Sequence, residues 1–122
     1  MNTMFGMKTR EVTDHLIIVP RKIRTGWVYG YQSSLTSEMI IPAAFEEADP
    51  FSEELAAVRV KDKWGYIDKD GKFIIEPQFS FALRFMEGKA LVRKGESLHY
   101  INKDGEKVSD PPYSPVKEPS KN

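Results

Sequence analysis

At 122 residues the chain can bury one core holding roughly two thirds of its unfolded surface, but not two independent ones. Forty per cent hydrophobic and thirty per cent charged residues are the proportions of a folded globular chain. Eighteen basic side chains balance eighteen acidic ones, so no net field draws the molecule onto a phosphate backbone or an anionic membrane; nucleic acid and membrane are not the expected partners.

Without cysteine there is no disulfide framework, thiolate metal site or thiol nucleophile. Met1 to Lys8 lacks a basic segment followed by a sustained apolar one, and apolar runs such as Leu16–Val19 are far too short to span a bilayer. A cytoplasmic monomer is the expectation.

In chain order, residues 1–14 read as a lead-in, and three similar copies follow at about 15–54, 55–88 and 89–113. The first copy opens with Leu16–Val19, continues with Trp27–Gln32 and closes with Glu38–Ile41, three short strands in all. Its connector, residues 42–54, carries Phe45, Ala48 and Phe51 three residues apart, a spacing that predicts one helical or 3₁₀ turn with both rings on one side. The second copy repeats the order with Leu55–Val60, Trp64–Ile67 and Lys72–Ile75, the last ended by Pro77. In its Asp68-Lys69-Asp70-Gly71 turn, Gly71 supplies the positive φ that a tight hairpin needs. The connector that follows, residues 77–88, brings Phe79, Ala82 and Phe85 at the same spacing. Ala90–Val92, Leu98–Asn102 and Glu106–Val108 are the strands of the third copy, with Gly105 in the turn; Tyr113 stands where a connector phenylalanine would, before a polar tail at 114–122. The expected fold is all-β: a tandem repeat of three-stranded antiparallel meanders of about 34 residues each, joined by short helical or 3₁₀ connectors.

The register is detailed. Ile40-Ile41-Pro42-Ala43-Ala44-Phe45 aligns 34 residues ahead with Ile74-Ile75-Glu76-Pro77-Gln78-Phe79, and Tyr66-Ile67 aligns with Tyr100-Ile101 at the same distance. Tyr29-Gly30-Tyr31 aligns with Trp64-Gly65-Tyr66 at 35, so the first copy has one extra residue in its turn. The stretch Lys63-Trp64-Gly65-Tyr66-Ile67-Asp68-Lys69-Asp70-Gly71-Lys72-Phe73-Ile74-Ile75-Glu76-Pro77-Gln78-Phe79, preceded by Phe51-Ser52-Glu53-Glu54-Leu55-Ala56-Ala57-Val58, resembles the bacterial WG repeat, also called the KWG repeat. In the flanking copies Tyr29 takes the place of the tryptophan and Leu98-His99 that of Trp-Gly, changes that suit the ends of a stack. The resemblance implies a β-rich, non-enzymatic module; it brings no catalytic motif.

The repeat positions Tyr29, Gly30, Tyr31, Phe45, Phe51, Trp64, Gly65, Tyr66, Gly71, Phe79, Phe85, Tyr100 and Gly105 read as structural. A ring at a fixed repeat position packs in a core, and a glycine beside it lets another strand approach; a stacking platform for a base or sugar at Trp64 and Gly65 is the weaker reading. No nucleophile elbow, Ser-x-x-Lys, phosphate-cradling glycine loop or paired-histidine zinc motif occurs, and His15 and His99 lie in different copies. No catalytic residue, metal or cofactor is therefore expected.

Charge is unevenly placed. Residues 38–58 hold six acids and no base, whereas 59–94 hold nine bases and five acids. Glu46, Glu47, Asp49, Glu53 and Glu54 lie on the first connector, whose phenylalanines should face inward and leave the carboxylates pointing out towards a basic partner, against the plainer reading of a solvated face. The expected function is a protein-binding module, of the kind a small inhibitor or immunity protein requires. A carbohydrate- or cell-envelope-binding module using exposed aromatics is the alternative, and an enzyme with an unrecognised site is a third.

Overall fold

A computed structural model describes residues 15–108; the lead-in, Tyr113 and the tail lie outside the described residues. Among the described residues all regular structure is strand. β1 (Leu16–Ile23), β2 (Gly26–Ser33) and β3 (Met39–Phe45) form the first antiparallel sheet in that order. β4 (Glu47–Ala48), β5 (Ala56–Val60), β6 (Lys63–Ile67) and β7 (Phe73–Phe79) form the second. The third is β8 (Phe81–Ala82), β9 (Ala90–Lys94), β10 (Ser97–Ile101) and β11 (Lys107–Val108).

The connectors are extended rather than helical. Glu46 N–H donates to Arg59 O and Asp49 N–H to Ala57 O, both at 2.9 Å, and one repeat later Ser80 N–H donates to Arg93 O and Leu83 N–H to Leu91 O at the same distance. With these donors given to the outer strand of the next sheet, the connector runs extended along that strand and forms no helical turn. The three-residue spacing of Phe45, Ala48 and Phe51 marks a chain that leaves one sheet and joins the edge of the next.

Nor does Pro77 end its strand. Trp64 pairs with Phe79 and Tyr66 with Ile75, which sets three residues of β7 opposite Gly65 alone. Proline has no N–H to give to the ladder and sits in the unpaired bulge. The same bulge recurs opposite Gly30, between the pairs Tyr29 with Phe45 and Tyr31 with Ile41; Pro42 lies in it one position earlier, and Ala43 stands where Pro77 does. A Cβ on Gly65 would stand 2.6 Å from Ile75 O and 2.7 Å from Pro77 N, and one on Gly30 would stand 2.5 Å from Ile41 O. The glycine after the aromatic is thus the point at which the bulged backbone crosses its neighbour.

Each meander turns through a side-chain cap. Asp68 Oδ1 accepts the N–H groups of Asp70 and Lys72, and Asn102 Oδ1 accepts those of Asp104 and Glu106. Gly71 and Gly105 both have φ of 87°, as the turn requires; in the longer first turn Ser37 takes φ of 64°. A Cβ on Gly71 would lie 3.2 Å from Ile41 Cγ2, so the turn of one copy rests on the core of the copy before it.

Two cores alternate with the three sheets. Tyr31, Ile41, Phe45, Ala56, Val58 and Ile67 fill the first, with Phe51 half-buried against them. Leu55, Ala57, Tyr66, Ile75, Phe79, Ala82, Phe85, Ala90, Val92 and Ile101 fill the second, against which Trp64 packs. The middle sheet is covered on both faces, and consecutive Ala56, Ala57 and Val58 are accordingly all buried and small. Tyr31 stands edge-on to Phe51 at 4.9 Å and donates its hydroxyl to Asp49 O at 2.6 Å; Tyr66 stands edge-on to Phe85 at 4.8 Å and donates to Leu83 O at 2.5 Å. Burial pushes both phenols well above their ordinary range, with Asp49 adding to the shift. On the outer face of the first sheet, Gln32 stands at the position of Ile67 and Ile101, flanked across the sheet by Ile17 and Met39.

Gly30→Ala and Gly65→Ala should each lower stability in denaturant unfolding by about 1–3 kcal/mol, because the added methyl meets backbone that cannot move aside without breaking the bulge. Gly71→Val should cost about 1–2 kcal/mol through its left-handed φ. A midpoint within error of wild type for all three would show that the bulges and turns adapt freely.

Candidate functional site on the acidic connector

The β5–β6 hairpin turns through Lys61 and Asp62, with φ of 53° and 67°. Such a turn leaves two neighbouring N–H groups unpaired, and the Glu46 carboxylate takes both, at 2.9 Å from Lys61 and 3.0 Å from Asp62. Glu53 does the same between copies: Oε2 accepts the Glu87 N–H, Oε1 accepts the Gly88 N–H at 2.9 Å, and Lys103 Nζ lies 3.4 Å away. The Gly88 N–H, seconded by those of Glu87 and by Lys103, holds the Glu53 carboxyl below its ordinary value against the opposing effect of desolvation.

The other three acids face differently. Glu47 pairs with Arg59 Nη2 at 3.1 Å, and Glu54 with Lys69 at 3.6 Å, both in exposed positions. Asp49 is half-buried; burial first, and Glu47 next, raise its carboxyl above the usual range while Arg84 draws it back. Outward-pointing carboxylates are therefore found at Glu47 and Glu54. At Glu46 and Glu53 the oxygens fold back onto the chain's own turns, because residues in the left-handed conformation turn their N–H groups towards them.

Three cavities open along this connector. The largest, about 630 Å³, is lined by Asp49, Pro50, Leu83, Arg84, Met86, Glu87, Lys89, Leu91 and Tyr100. A second of about 360 Å³ lies under the overhang of the long β1–β2 hairpin, between Ile18, Trp27, Tyr29 and the Glu46-Glu47-Ala48 edge. The third, about 310 Å³, is bounded by His15, Leu16, Pro50, Phe51, Glu53, Glu54 and Lys69. Every acid of the connector touches one of the three. Of the repeat positions, Tyr29, Phe51 and Tyr100 reach cavities, while Trp64 packs on the core and Gly65 is buried.

Among the described residues no group of three His, Asp or Glu side chains converges to hold a metal ion, and no helix is long and apolar enough to cross a membrane. His99 pairs with Val92 as Gly65 pairs with Val58, and its Nδ1 lies 2.9 Å from Ser97 Oγ on the same strand. What the connector offers chemically is an extended segment with outward carboxylates at Glu47 and Glu54, beside one largely apolar hollow and two polar ones.

The family described as WG containing repeat matches residues 29–64 and again 64–96, together more than half of the chain. No curated protein and no solved structure matches it.

Glu53 links two copies through a charge, so its effect is pH-dependent. A carboxyl whose folded pKa is depressed contributes stability that is fully present above its unfolded pKa and disappears as pH falls through the folded one. Glu53→Gln should therefore melt below wild type at neutral pH, and the gap should close as the pH drops below the ordinary value of 4.5. Melting curves from pH 7 to 3 check this; a gap independent of pH would assign the effect to shape rather than charge.

Proposed function

Because the chain belongs to the family described as WG containing repeat, we propose that it is a non-enzymatic protein-binding module, of inhibitor or immunity type, which receives a basic partner on residues 46–54. One observation carries the reading: a single acidic connector, tied to the next sheet by backbone hydrogen bonds, borders all three cavities. Ligand-facing groups on a pre-ordered strand lose little freedom on association. Glu47 and Glu54 are 53% and 78% exposed, and their ion pairs with Arg59 and Lys69 are of the surface kind, worth about 0–1 kcal/mol, so a partner's cation can displace either. Complementary charge of this type raises association rate and selects the partner, while the hollow lined by Leu83, Met86 and Leu91 takes an apolar side chain.

The test is affinity capture with the tagged full chain from its native cell, comparing wild type with Glu47→Lys/Glu54→Lys. Stability should change by no more than about 2 kcal/mol, since two surface pairs are lost and neither carboxylate caps a turn. The partner should be lost, most completely at low ionic strength, where charge steering is strongest. Undiminished capture of the same partner by the double variant overturns the assignment of this surface.

A further inference from the structure

The cavity of about 630 Å³ has a counterpart inside the molecule. Its residues Leu83, Met86, Glu87, Leu91 and Tyr100 stand 34 residues after Asp49, Ser52, Glu53, Ala57 and Tyr66. That inner surface is filled, and the connector 83–88 fills it. Phe85 lies edge-on to Tyr66 at 4.8 Å, the Tyr66 hydroxyl donates to Leu83 O at 2.5 Å, and Ser52 Oγ donates to Phe85 O at 2.7 Å. The Glu53 carboxylate then holds the two N–H groups of the Glu87-Gly88 turn. The first copy shows the ring and hydroxyl contacts again, with Phe51 on Tyr31 and the Tyr31 hydroxyl on Asp49 O.

We infer that the cavity beside Tyr100 is a further connector slot, and that it binds an extended segment of a partner protein carrying an aromatic side chain followed by a tight turn. This rests on the protein-binding reading and names the partner's chemistry. Among the described residues the Tyr100 hydroxyl and the Glu87 carboxylate make no hydrogen bond, and Leu83 and Met86 are 45% and 59% exposed. In the slot the hydroxyl donates to a partner carbonyl, as Tyr31 and Tyr66 do to theirs, and the carboxylate accepts the paired N–H groups of the turn. The aromatic comes from another protein. Thirty-four residues after Phe85 the chain has Pro119, which offers no ring, and in a second copy Phe51 and Phe85 are already packed on Tyr31 and Tyr66.

The probe is a fluorescein-labelled synthetic peptide with the sequence of residues 79–89, titrated into the full chain and followed by anisotropy. Saturable binding is expected. Replacing the phenylalanine at position 85 of the peptide with alanine should weaken it at least about tenfold, since a buried aromatic anchor carries most of such a contact. In the protein, Tyr100→Phe should weaken it about three- to tenfold, the loss of one hydrogen bond, and Leu91→Glu should abolish it at an unchanged melting temperature. No saturable binding, or binding that both protein variants leave intact, overturns the inference. So does binding that appears only in a Tyr113→Asp chain, which gives the slot to the chain's own C-terminal residues. Loss of the captured partner from the acidic double variant, with no peptide binding, would remove the slot and leave the protein-binding reading in place.

Discussion

The hydrogen bonds from each connector to the next sheet's outer strand are what the rest of the structure depends on. Glu46 and Asp49 give their N–H groups to β5, and Ser80 and Leu83 give theirs to β9. A three-stranded meander has only one face to bury and is marginal alone. Sharing its outgoing chain with the next sheet fixes the order of sheets, their separation and their register together. The same bonds bring Phe51 and Phe85 over Tyr31 and Tyr66 and aim a connector carbonyl at each phenol. A buried phenol without that carbonyl would cost about 1–3 kcal/mol, so the hydroxyl reports whether the connector is seated.

Seen in this light, the aromatic-glycine pair has two separate duties. Trp64 and Tyr29 pair with Phe79 and Phe45 at the far end of the bulge, and Gly65 and Gly30 let the bulged strand pass. The bulge brings β3 and β7 round to the point from which they cross to the next sheet. Two extra residues keep the alternation of faces, so Phe45 and Phe79 stay on the side of the sheet that the regular ladder would give them while the strand gains length and bends.

Local chemistry made much of this legible in the sequence. The 34-residue period, the strands of each meander and the positive φ of Gly71 and Gly105 follow from apolar runs and turn residues that act within a few positions. What the sequence hid is long-range. Rings three apart suggest a helical turn until the donors of that segment are known to belong to β5 and β9, and Pro77 suggests a strand end until three residues are seen to face one glycine. The acids were visible but their direction was not: Glu53-Glu54 and Lys61-Asp62 adopt left-handed turns without the usual glycine or asparagine, and Gly88, at the matching position in the second copy, is the one local hint of the first of them. Shifting Asp49, Ser52, Glu53, Ala57 and Tyr66 by one repeat leads to the cavity beside Tyr100.

Gln32 gives the array a direction. At the two inner positions the corresponding residues, Ile67 and Ile101, are buried against the preceding sheet, so any sheet docking onto the outer face of the first one would enclose a carboxamide where the repeat calls for a hydrocarbon. An amide shut away without partners costs about 1–3 kcal/mol, enough to bias which end of the stack accepts a neighbour. Repeats that join head to tail without closing a ring would otherwise polymerise into fibres. A carboxamide at this position thus disfavours an apolar layer on the outer face of the first sheet, where isoleucine would favour one.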